Sequence, residues 1–253
     1  MREINGMSVM ITGGGSGLGE GAARLFASRG AKVTISGRRL DKIAAVASSI
    51  GSQCLAVAGD VTNAADRVAM IEAAVRHGGK LDVLVNNAGN MYRQAITEYS
   101  EALLQEAFNT NVIAGMMLSS LAVPHLAVTA GAIIFMGSIH TRRAYPGASP
   151  YATTKAAVEG LTRVMAAELG PKRIRVACVL PGAVASELNV RAGVMTAEQA
   201  AKRYQSLAAD HVLWRIGTDF EVAEAIEFLV RAEWVTGVAL EVDGGLGLGL
   251  SNV

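Results

Sequence analysis

The residue pair with the clearest chemical potential is Tyr151 and Lys155, which lie four positions apart in a segment with helical character. Four residues along an α-helix correspond to about 6 Å of rise and slightly more than one turn, so both side chains project from one face. An ammonium group about 4 Å from a phenol stabilises the phenolate by roughly 4 kcal/mol at an effective dielectric constant of about 20. We therefore expect Lys155 to bring the pKa of Tyr151 down toward neutrality, where a phenol can exchange a proton with an alcohol or carbonyl oxygen.

Two other polar residues occupy positions that favour a role in such chemistry. Ser138 follows the apolar run 132–136, at the carboxyl end of a predicted strand, where open α/β sheets bind ligands. A serine there is also typical of an ordinary turn or helix cap. Asn111 lies within a long helical segment although asparagine is a poor helix former. This indicates either a helix distortion that holds water or simple exposure to solvent.

A glycine-rich segment follows the first predicted strand. It reads Thr-Gly-Gly-Gly-Ser-Gly-Leu-Gly over residues 12–19, and a helix begins at its end. Glycines permit a tight turn and close backbone approach, and the free N–H groups and dipole of a helix attract phosphate oxygens. Counted from Gly13 the spacing is G-x-x-x-G-x-G rather than the commonest dinucleotide fingerprint, and glycine turns of this kind also occur without a ligand.

The elements that position these residues alternate along the chain. Apolar runs of strand length are separated by longer helical segments, including 64–77, 101–126, 149–169 and 220–231. Strands that are apolar on both faces and separated by helices form a parallel sheet covered on both sides. The sequence therefore predicts a single-domain, doubly wound (Rossmann-type) α/β fold over residues 1–253, with about seven parallel strands and helices on both faces. The predicted strands are 7–11, 32–36, 54–58, 83–85, 132–136, 174–179 and 238–242.

The least regular stretch is 183–217, between the last two predicted strands. A helical segment around 196–207 is inserted there, at the sheet edge where ligands bind. We expect this insertion to act as a substrate lid.

Composition narrows the class of function. The chain has 253 residues, is 51% hydrophobic, and carries 23 basic against 22 acidic side chains, which is typical of a compact globular protein that needs no metal or disulfide framework. The net charge of +1 gives no electrostatic reason to bind nucleic acid or a membrane surface, so a small molecule is the expected partner. Cys54 and Cys178 lie in apolar runs and are interpreted as structural thiols. We identify no signal peptide and no stretch of about 18 apolar residues, and we expect a cytoplasmic protein outside any membrane.

In order and spacing, these motifs resemble the short-chain dehydrogenase/reductase family, in its branch of about 250 residues, and the resemblance covers nearly the whole chain. The motifs that carry it are the glycine segment 12–19, Asp60, Asn86-Asn87-Ala88-Gly89, Asn111, Ser138, the Tyr151 and Lys155 pair, Pro181-Gly182 and Asp243-Gly244-Gly245. The resemblance implies an NAD(P)-dependent oxidoreductase that interconverts a secondary alcohol and a ketone, or a 3-oxoacyl or sugar-type carbonyl. The alternative is a cofactor-sensing regulator without turnover, although such proteins typically lack part of the catalytic set.

The resemblance also implies a role for each catalytic residue. Tyr151 is expected to be the general acid in reduction and the general base in oxidation, and Ser138 to polarise and orient the substrate oxygen. Lys155 is expected to lower the pKa of the phenol and hold the nicotinamide ribose, while Asn111 positions a water that links Lys155 to bulk solvent. Hydride then moves between the nicotinamide ring and the substrate carbon. The expected cofactor contacts are Gly13, Gly15, Ser16, Gly17, Leu18, Gly19, Arg38, Arg39, Asp60, Val61, Asn87, Ala88, Gly89, Tyr151, Lys155, Pro181, Gly182, Val184 and Ser186.

Cofactor preference is expected to depend on the end of the second strand. In NAD-preferring relatives an acidic residue occupies the position of Gly37, where it binds the ribose hydroxyls and repels a 2′-phosphate. That carboxylate is missing here, and Arg38 and Arg39 follow, so we expect NADP to be preferred, with NAD as the alternative. The arginines could instead be solvated charges, and Ser16 stands where some NADP-dependent relatives carry a basic residue.

Substrate contacts and assembly are expected from position in the family. Ser138, His140, Tyr145 and Asn189 are the predicted substrate contacts, although His140 could instead hydrogen-bond its own loop. Nearby arginines favour an anionic or polyhydroxylated substrate if they face the site, and are ordinary loop charges if they do not; they are Arg93, Arg142, Arg143 and Arg191. Methionine and apolar residues of the predicted lid fit an apolar ketone equally well. Apolar residues occur on several faces of the helices at 101–126 and 149–169, more than one contact with the sheet needs. Members of the family commonly pair these helices, so the resemblance implies a homodimer or homotetramer. The apolar, glycine-rich end 244–250 is expected to pack at a subunit boundary or beside the active site.

Overall fold

The computed structural model describes residues 1–185, 188–191, 193 and 195–249. Seven strands form one parallel sheet in the order β3-β2-β1-β4-β5-β6-β7. The strands are β1 (Ser8–Thr12), β2 (Lys32–Gly37), β3 (Cys54–Ala58), β4 (Val83–Asn86), β5 (Ala132–Met136), β6 (Arg175–Pro181) and β7 (Ala239–Val242). The ends of the predicted strands differ from these bounds by no more than two residues, so the predicted doubly wound parallel fold is confirmed.

The central strands are buried on both faces, which is why their sequences are almost continuously apolar. All residues of β1, β4 and β5 are buried. β1 pairs with β2 on one side and β4 on the other, with Val9 opposite Val33 and Val83. The strand order therefore reverses at β1, and the loops after β1 and β4 diverge to leave a crevice at the carboxyl edge of the sheet.

Helices cover both faces of the sheet. In chain order they are α1 (Gly17–Ser28), α2 (Leu40–Ile50), α3 (Ala64–Gly78), α4 (Glu101–Phe108), α5 (Ala114–Thr129), α6 (Ser149–Leu169), α7 (Leu188–Arg191), α8 (Ala197–Ala208) and α9 (Asp219–Arg231). One core lies between the sheet and α1, α2 and α9, and a second core lies between the opposite face and α3, α5 and α6. Because alternate residues of each strand point to opposite faces, neighbours such as Val9 and Met10 enter different cores.

The segment predicted as one helix over 101–126 is interrupted, so that prediction was wrong in detail. A π-helical turn, Asn109–Ile113, separates α4 from α5, and Asn111 lies inside it with only 8% of its surface exposed. The distortion interpretation of Asn111 is therefore correct and the solvent-exposure interpretation is not. π-turns inside α-helices are frequent at functional sites because they reposition a side chain against the helical period.

The same segment corrects the expectation about apolar length. By length and composition alone, the helical stretch Glu101–Thr129 is long and apolar enough to cross a membrane, with a mean hydropathy of 1.7. The sequence-based expectation counted apolar residues in a row, and this stretch is interrupted by polar residues such as Asn109, Asn111 and Ser119. Leu118 and Leu126 are buried against the sheet, whereas Met116 and Met117 are 43% and 45% exposed.

Residues 183–217 leave and rejoin the fold at one point. The Gly217 N–H donates to the Ala183 carbonyl at 2.9 Å, and Val184 and Gly217 form a parallel β-bridge. α7 and α8 lie between these two points. The insertion is thus anchored at its base to the carboxyl end of β6, next to the crevice.

Candidate active site

A cavity of about 670 Å³ follows the carboxyl edge of the sheet across the loops after β1 to β6. Most of the predicted cofactor contacts line this one cavity, which is what their common position after parallel strands predicts. They are Gly13, Gly15, Ser16, Gly17, Leu18, Arg38, Arg39, Asp60, Val61, Asn87, Ala88, Gly89, Tyr151, Lys155, Pro181, Gly182 and Val184. Ser186 lies outside the described residues.

The glycine-rich turn presents an uncapped helix start to the cavity. Ser16 precedes α1 in an extended conformation, and its side chain makes no capping hydrogen bond. The first N–H groups of α1 are therefore available to an external acceptor, and the helix dipole favours an anion there. Gly13 and Gly17 have φ values of 69° and 54°, a region that glycine adopts without strain.

Gly19 departs from the predicted pattern because it does not line the cavity. A Cβ atom at Gly19 would lie 2.4 Å from both the Asn87 Nδ2 atom and the Gly13 carbonyl oxygen. Asn87 Nδ2 in turn donates to the Thr12 carbonyl at 2.8 Å. The absence of a side chain at Gly19 thus lets α1 pack closely on the turn, and its prediction as a cofactor contact is corrected to a packing role.

The end of the cavity beside β2 and β3, which we call the outer end, is formed by Gly37, Arg38, Arg39 and Asp60. The Arg38 Nη1 and Asp60 Oδ2 atoms are 3.8 Å apart, and Arg39 Nη2 donates to Ser16 Oγ at 3.4 Å. Partial burial raises the pKa of Asp60, but hydrogen bonds from Thr62 and the nearby Arg38 outweigh it and lower the pKa overall. No acidic side chain stands at Gly37.

The opposite end, which we call the inner end, is formed by Ser138, His140, Tyr151 and Lys155. The side chains of Ser138, Tyr151 and Lys155 are buried, each residue being 6% exposed. Ser138 follows β5, and Tyr151 and Lys155 lie one turn apart on α6, as predicted. The sheet edge and one helix face therefore bring these residues together.

The expected lowering of the Tyr151 pKa is wrong for this structure. Burial raises the pKa of Tyr151 to about 12, and the hydrogen bond with Ser138 offsets that effect only in part. The Lys155 ammonium lies over the phenol ring, 5.5 Å from its centroid, and donates to the Met136 carbonyl at 2.7 Å. Because the ammonium is directed at a carbonyl rather than at the hydroxyl, desolvation determines the protonation of the phenol.

Lys155 is perturbed by the same burial. Desolvation lowers its pKa from 10.5 to about 8. A lysine ammonium has three N–H donors, and among the described residues Lys155 forms one hydrogen bond, to Met136. Gly89 is directly beside it, since a Cβ atom there would lie 3.7 Å from the Nζ atom.

The π-helical turn holds Asn111 behind Gly89. Its Oδ1 atom accepts from the Asn90 N–H at 2.9 Å, and its Nδ2 atom donates to the Asn90 carbonyl and to Thr154 Oγ1. Asn111 does not line the main cavity. It borders a second cavity of about 10 Å³ that is also lined by Lys155 and by Asn86, whose buried Oδ1 atom has no hydrogen-bond partner among the described residues.

His140 and Tyr145 close the substrate side of the inner end. The His140 ring packs on Tyr145 with centroids 4.4 Å apart and stands edge-on to Tyr151 at 5.1 Å. Its Nδ1 atom is 3.1 Å from Ser138 Oγ. His140 therefore hydrogen-bonds within its own loop, as one interpretation expected; it also lines the cavity, and its contact with substrate stays a prediction.

The loop arginines divide into two groups. Arg142 pairs with Glu159 at 2.8 Å and with Glu241 at 2.7 Å, and Arg143 pairs with Asp210 at 3.3 Å. Neither lines the cavity, whereas Arg93 does. Asn189 belongs to α7, and its side chain, like that of Arg191, lies outside what the structure describes.

Several cavity residues were not predicted. Arg203 and Leu207 of α8 line the inner end. They share a helix face with the buried Ala200, at spacings of three and seven residues, and this periodicity was the available signal. Leu246 also lines the cavity. The apolar segment that contains it was predicted to pack at a subunit boundary or beside the active site, and Leu246 lies in the second of these positions.

The two predicted structural thiols have no reactive character. Burial raises the pKa of Cys178 to about 12 and that of Cys54 to about 11, so both remain protonated at physiological pH. Protonated thiols are weak nucleophiles.

The residues present fit a nicotinamide dinucleotide. The uncapped start of α1 offers N–H groups to a pyrophosphate, the outer end offers arginines to an adenosine ribose or its phosphate, and Lys155 retains donors for a second ribose. One continuous cavity connects these three features.

Comparisons with known proteins agree with this geometry. Residues 7–196 match the short chain dehydrogenase family. An uncharacterized oxidoreductase of Methylorubrum extorquens is 33% identical over 252 residues, covering 97% of this chain and 100% of that protein. A hydroxynaphthalene reductase of Aspergillus fumigatus is 32% identical over 246 residues, covering 92% of this chain and 90% of that protein.

Solved structures show the same relationship. A short-chain dehydrogenase/reductase of Caenorhabditis elegans, crystallised with cofactor, superposes with a TM-score of 0.92 at 29% identity, covering 98% of each chain. A 3-ketoacyl-(acyl-carrier-protein) reductase of Brucella melitensis, complexed with NADH, superposes with a TM-score of 0.88 at 33% identity, covering 96% of this chain and 99% of that one. With this fold, this cavity and these relatives, the chain belongs to the short-chain dehydrogenase/reductase family of oxidoreductases.

Proposed function

We propose that this protein is an NADP(H)-preferring oxidoreductase that interconverts a secondary alcohol and a ketone, with Tyr151 as general acid and base. The observation that carries the proposal is the buried contact of Tyr151 with Ser138 and Lys155 at the inner end of a cavity that also contains an uncapped helix start. When bound, the dinucleotide supplies or accepts hydride at its nicotinamide ring.

Tyr151 donates its hydroxyl proton to the substrate oxygen during reduction. Its pKa of about 12 keeps the phenol protonated at neutral pH, which is the form that reduction requires. Ser138 donates a hydrogen bond to the same oxygen and fixes its position. For this to occur, His140 Nδ1 donates to Ser138 Oγ, leaving the serine proton free for the substrate.

Asn111 positions a water that links Lys155 to solvent, and protons reach Tyr151 through that water and Lys155. The cavity of about 10 Å³ that both residues border has about the volume that one buried water needs. Asn86 and Asn111 provide polar groups for such a water, and Lys155 extends from it toward the phenol. Oxidation uses the same route in reverse.

The outer end selects NADP. Arg38 and Arg39 bind the 2′-phosphate, because each guanidinium can donate two parallel hydrogen bonds to it and no carboxylate at Gly37 repels it. The Arg38 contact with Asp60 is long and exposed, so it is exchanged for a phosphate contact at little cost. This preference is the finer part of the proposal, and the related Brucella melitensis reductase was solved with NADH.

The insertion 183–217 closes over the inner end as a lid. α8 contributes Arg203, Tyr204 and Leu207 to the cavity, and the base of the insertion is fixed by the Ala183 to Gly217 hydrogen bond. A segment with a fixed base can move as a unit about that base.

An absorbance assay tests the proposed function. Purified protein is titrated with NADPH by fluorescence and then assayed with a panel of ketones, aldehydes and 3-oxoacyl thioesters. We expect NADPH to bind and to be oxidised with at least one carbonyl compound. Binding with no oxidation across the whole panel would overturn the enzyme proposal in favour of a cofactor-sensing regulator.

We also propose that the protein forms a homo-oligomer through the outward face of α4, α5 and α6. Met116, Met117 and Val164 are 43%, 45% and 56% exposed there. Burying this apolar surface against a second copy would be favourable, since transfer from water contributes about 25 cal/mol per Å². Sedimentation that shows only a 26.3 kDa species at micromolar concentration would contradict it.

A further inference from the structure

Two arginines from separate parts of the chain meet at the inner end of the cavity. Arg93 lies on the loop after β4, and Arg203 lies on α8 of the insertion. The guanidinium groups are close enough for Arg203 to contribute, after burial, to the lowering of the Arg93 pKa. Two like charges held together in a partly buried cavity repel each other unless an anion lies between them.

The protein does not neutralise this pair. Among the described residues, neither Arg93 nor Arg203 forms an ion pair, and the buried Arg93 Nε atom has no hydrogen-bond partner. The contrast with Arg142 and Arg143 is direct, because both of those arginines are paired with carboxylates. At the inner end, Arg93 and Arg203 are thus the arginines that are available to bind a ligand.

The carboxylates near the pair, among the described residues, form their contacts with other groups. Two carboxylates occur among the described residues that line the cavity. Asp60 lies at the outer end beside Arg38, and Glu106 accepts a hydrogen bond from the Tyr92 hydroxyl. Asp210, behind Tyr145, is already paired with Arg143.

The histidine beside the pair carries no charge, and with Nδ1 donating to Ser138 its Nε2 atom is an acceptor. Burial, and next Arg93, Arg203 and Lys155, lower the pKa of His140 to about 4, so the ring is uncharged at neutral pH. Its buried Nε2 atom has no hydrogen-bond partner among the described residues. The His140 ring packs between Tyr145 and Tyr151, so it lies directly beside the phenol that the proposal assigns as the proton donor.

We propose that the substrate is an anionic carbonyl compound, a keto carboxylate or keto phosphate, whose anionic group is bound by Arg93 and Arg203 while its carbonyl contacts Ser138 and Tyr151. This inference rests on the proposed function for the carbonyl but not for the anion. Two guanidiniums bind an anion with several charge-assisted hydrogen bonds, and they fix the orientation of the attached carbonyl.

The pair also couples substrate binding to the insertion. Because Arg93 belongs to the body of the fold and Arg203 to α8, an anion that contacts both holds the insertion against the inner end. A neutral substrate leaves the repulsion between the arginines in place. Anionic substrates are therefore expected to hold α8 against the loop after β4 more strongly than neutral ones.

Matched pairs of ketones test the proposal. The holoenzyme with NADPH is assayed with levulinate, acetoacetate and acetonyl phosphonate, and with their uncharged esters: the methyl ester of each carboxylate and the dimethyl ester of the phosphonate. We expect kcat/KM for at least one anion to exceed that for its ester about tenfold or more. The better of the carboxylate and phosphonate arms identifies the anion class.

Substitutions of the two arginines give the second arm. Arg93→Gln and Arg203→Gln should each lower kcat/KM for the preferred anion by about 10- to 100-fold relative to the effect on its ester, mainly through KM. Arg93→Lys should restore part of the loss, because it keeps the charge. Arg143→Gln, which removes an ion-paired arginine from the same region, should preserve the ratio of anion to ester.

Direct binding separates this inference from the proposed function. Isothermal titration of levulinate and acetonyl phosphonate into the NADP⁺ complex, which has no hydride to transfer to a ketone, should show binding that weakens in Arg93→Gln. If esters are turned over as well as anions and neither arginine changes their ratio, the anion site is overturned while the oxidoreductase stands. If no ketone is turned over but an anion binds through Arg93, the anion site stands and the oxidoreductase does not.

Discussion

The outer and inner ends of the cavity handle charge in opposite ways. At the outer end the Arg38 side chain is 69% exposed and its partner Asp60 36% exposed, and their closest atoms are 3.8 Å apart. At the inner end Ser138, Tyr151 and Lys155 are each 6% exposed. Water therefore screens the outer charges, whereas burial dominates the inner ones.

This difference assigns distinct tasks to the two ends. Exposed arginines can recognise a phosphate and release it, because their interactions are worth little and depend on salt. Buried groups can have their proton affinities changed by several orders of magnitude, as the pKa values of about 12 for Tyr151 and about 8 for Lys155 illustrate. We expect substitutions at the inner end to alter turnover and stability, and those at the outer end to alter cofactor choice.

The largest effect should come from Tyr151→Phe. The variant keeps the packing of the ring but removes the hydroxyl that exchanges a proton with the substrate, so kcat/KM should fall by about 10²- to 10⁴-fold. NADPH affinity measured by fluorescence should change little, which shows that the fold and cofactor site are intact. Tyr145→Phe, a tyrosine of the same cavity, is the matched control and should retain most of the turnover.

Turnover that survives in Tyr151→Phe at the wild-type level would exclude this residue as the proton donor. The comparison between the two ends would then lose its chemical basis, because the buried phenol would serve packing alone.

The second-largest effect concerns stability: burial of Lys155 lowers the free energy of unfolding at neutral pH. Its pKa falls from 10.5 to about 8 on folding, so between these values the unfolded chain binds more protons and stability rises with pH. Below about pH 8 the folded protein holds a buried ammonium that costs on the order of 1–3 kcal/mol. Lys155→Met should therefore unfold at higher urea concentration than the wild type at neutral pH, and the difference should shrink as pH rises toward 10.

Lys42→Met provides the control for that measurement, since Lys42 is exposed at the outer end. When the free energy of unfolding of each variant is subtracted from that of the wild type at the same pH, the contributions of all other titrating groups cancel. A wild-type minus Lys155→Met difference that stays constant across this pH range would show that burial does not perturb Lys155.

Much of the fold followed from the sequence because its signals are local. Apolar runs between glycine turns gave the strands to within two residues, and the order of helices and strands required parallel pairing. The spacing of Tyr151 and Lys155 likewise placed them on one face of α6. These properties are determined by residues close together in the chain, so they can be predicted without knowledge of the tertiary contacts.

The properties that sequence reasoning missed depend on tertiary placement. The predicted low pKa of Tyr151 assumed an ammonium near the hydroxyl in a partly exposed site, but Lys155 donates to the Met136 carbonyl and the phenol is buried. Arg203 was overlooked because the direction in which α8 faces depends on how residues 183–217 return to the sheet. The spacing of residues along the chain predicts neither the burial of Tyr151 nor the direction in which α8 faces.

A smaller effect is expected at the outer end from Arg38→Ala. Losing one exposed phosphate contact should raise the KM for NADPH about tenfold, as expected for a charge-assisted hydrogen bond worth about 1.5 kcal/mol, and leave the KM for NADH nearly unchanged. kcat should stay close to the wild-type value. Arg76→Ala, an exposed arginine paired with Glu72 on α3, is the control and should affect neither cofactor. Equal effects of Arg38→Ala on both cofactors would contradict the NADP assignment.

The smallest expected effect is the dependence of KM and kcat on salt concentration. It distinguishes the outer end from the inner end without any substitution. At an ionic strength of about 0.1 M the Debye length is about 10 Å, so added salt weakens the exposed contacts of Arg38 and Arg39 with a phosphate. The KM for NADPH should therefore rise a few-fold between low and high salt, and the KM for NADH should rise less. kcat with saturating cofactor should remain constant, because Tyr151 and Lys155 are shielded from ions by protein. A kcat that falls in parallel with NADPH affinity would mean that solvent reaches the inner end, and the contrast between a screened and a buried end would no longer hold.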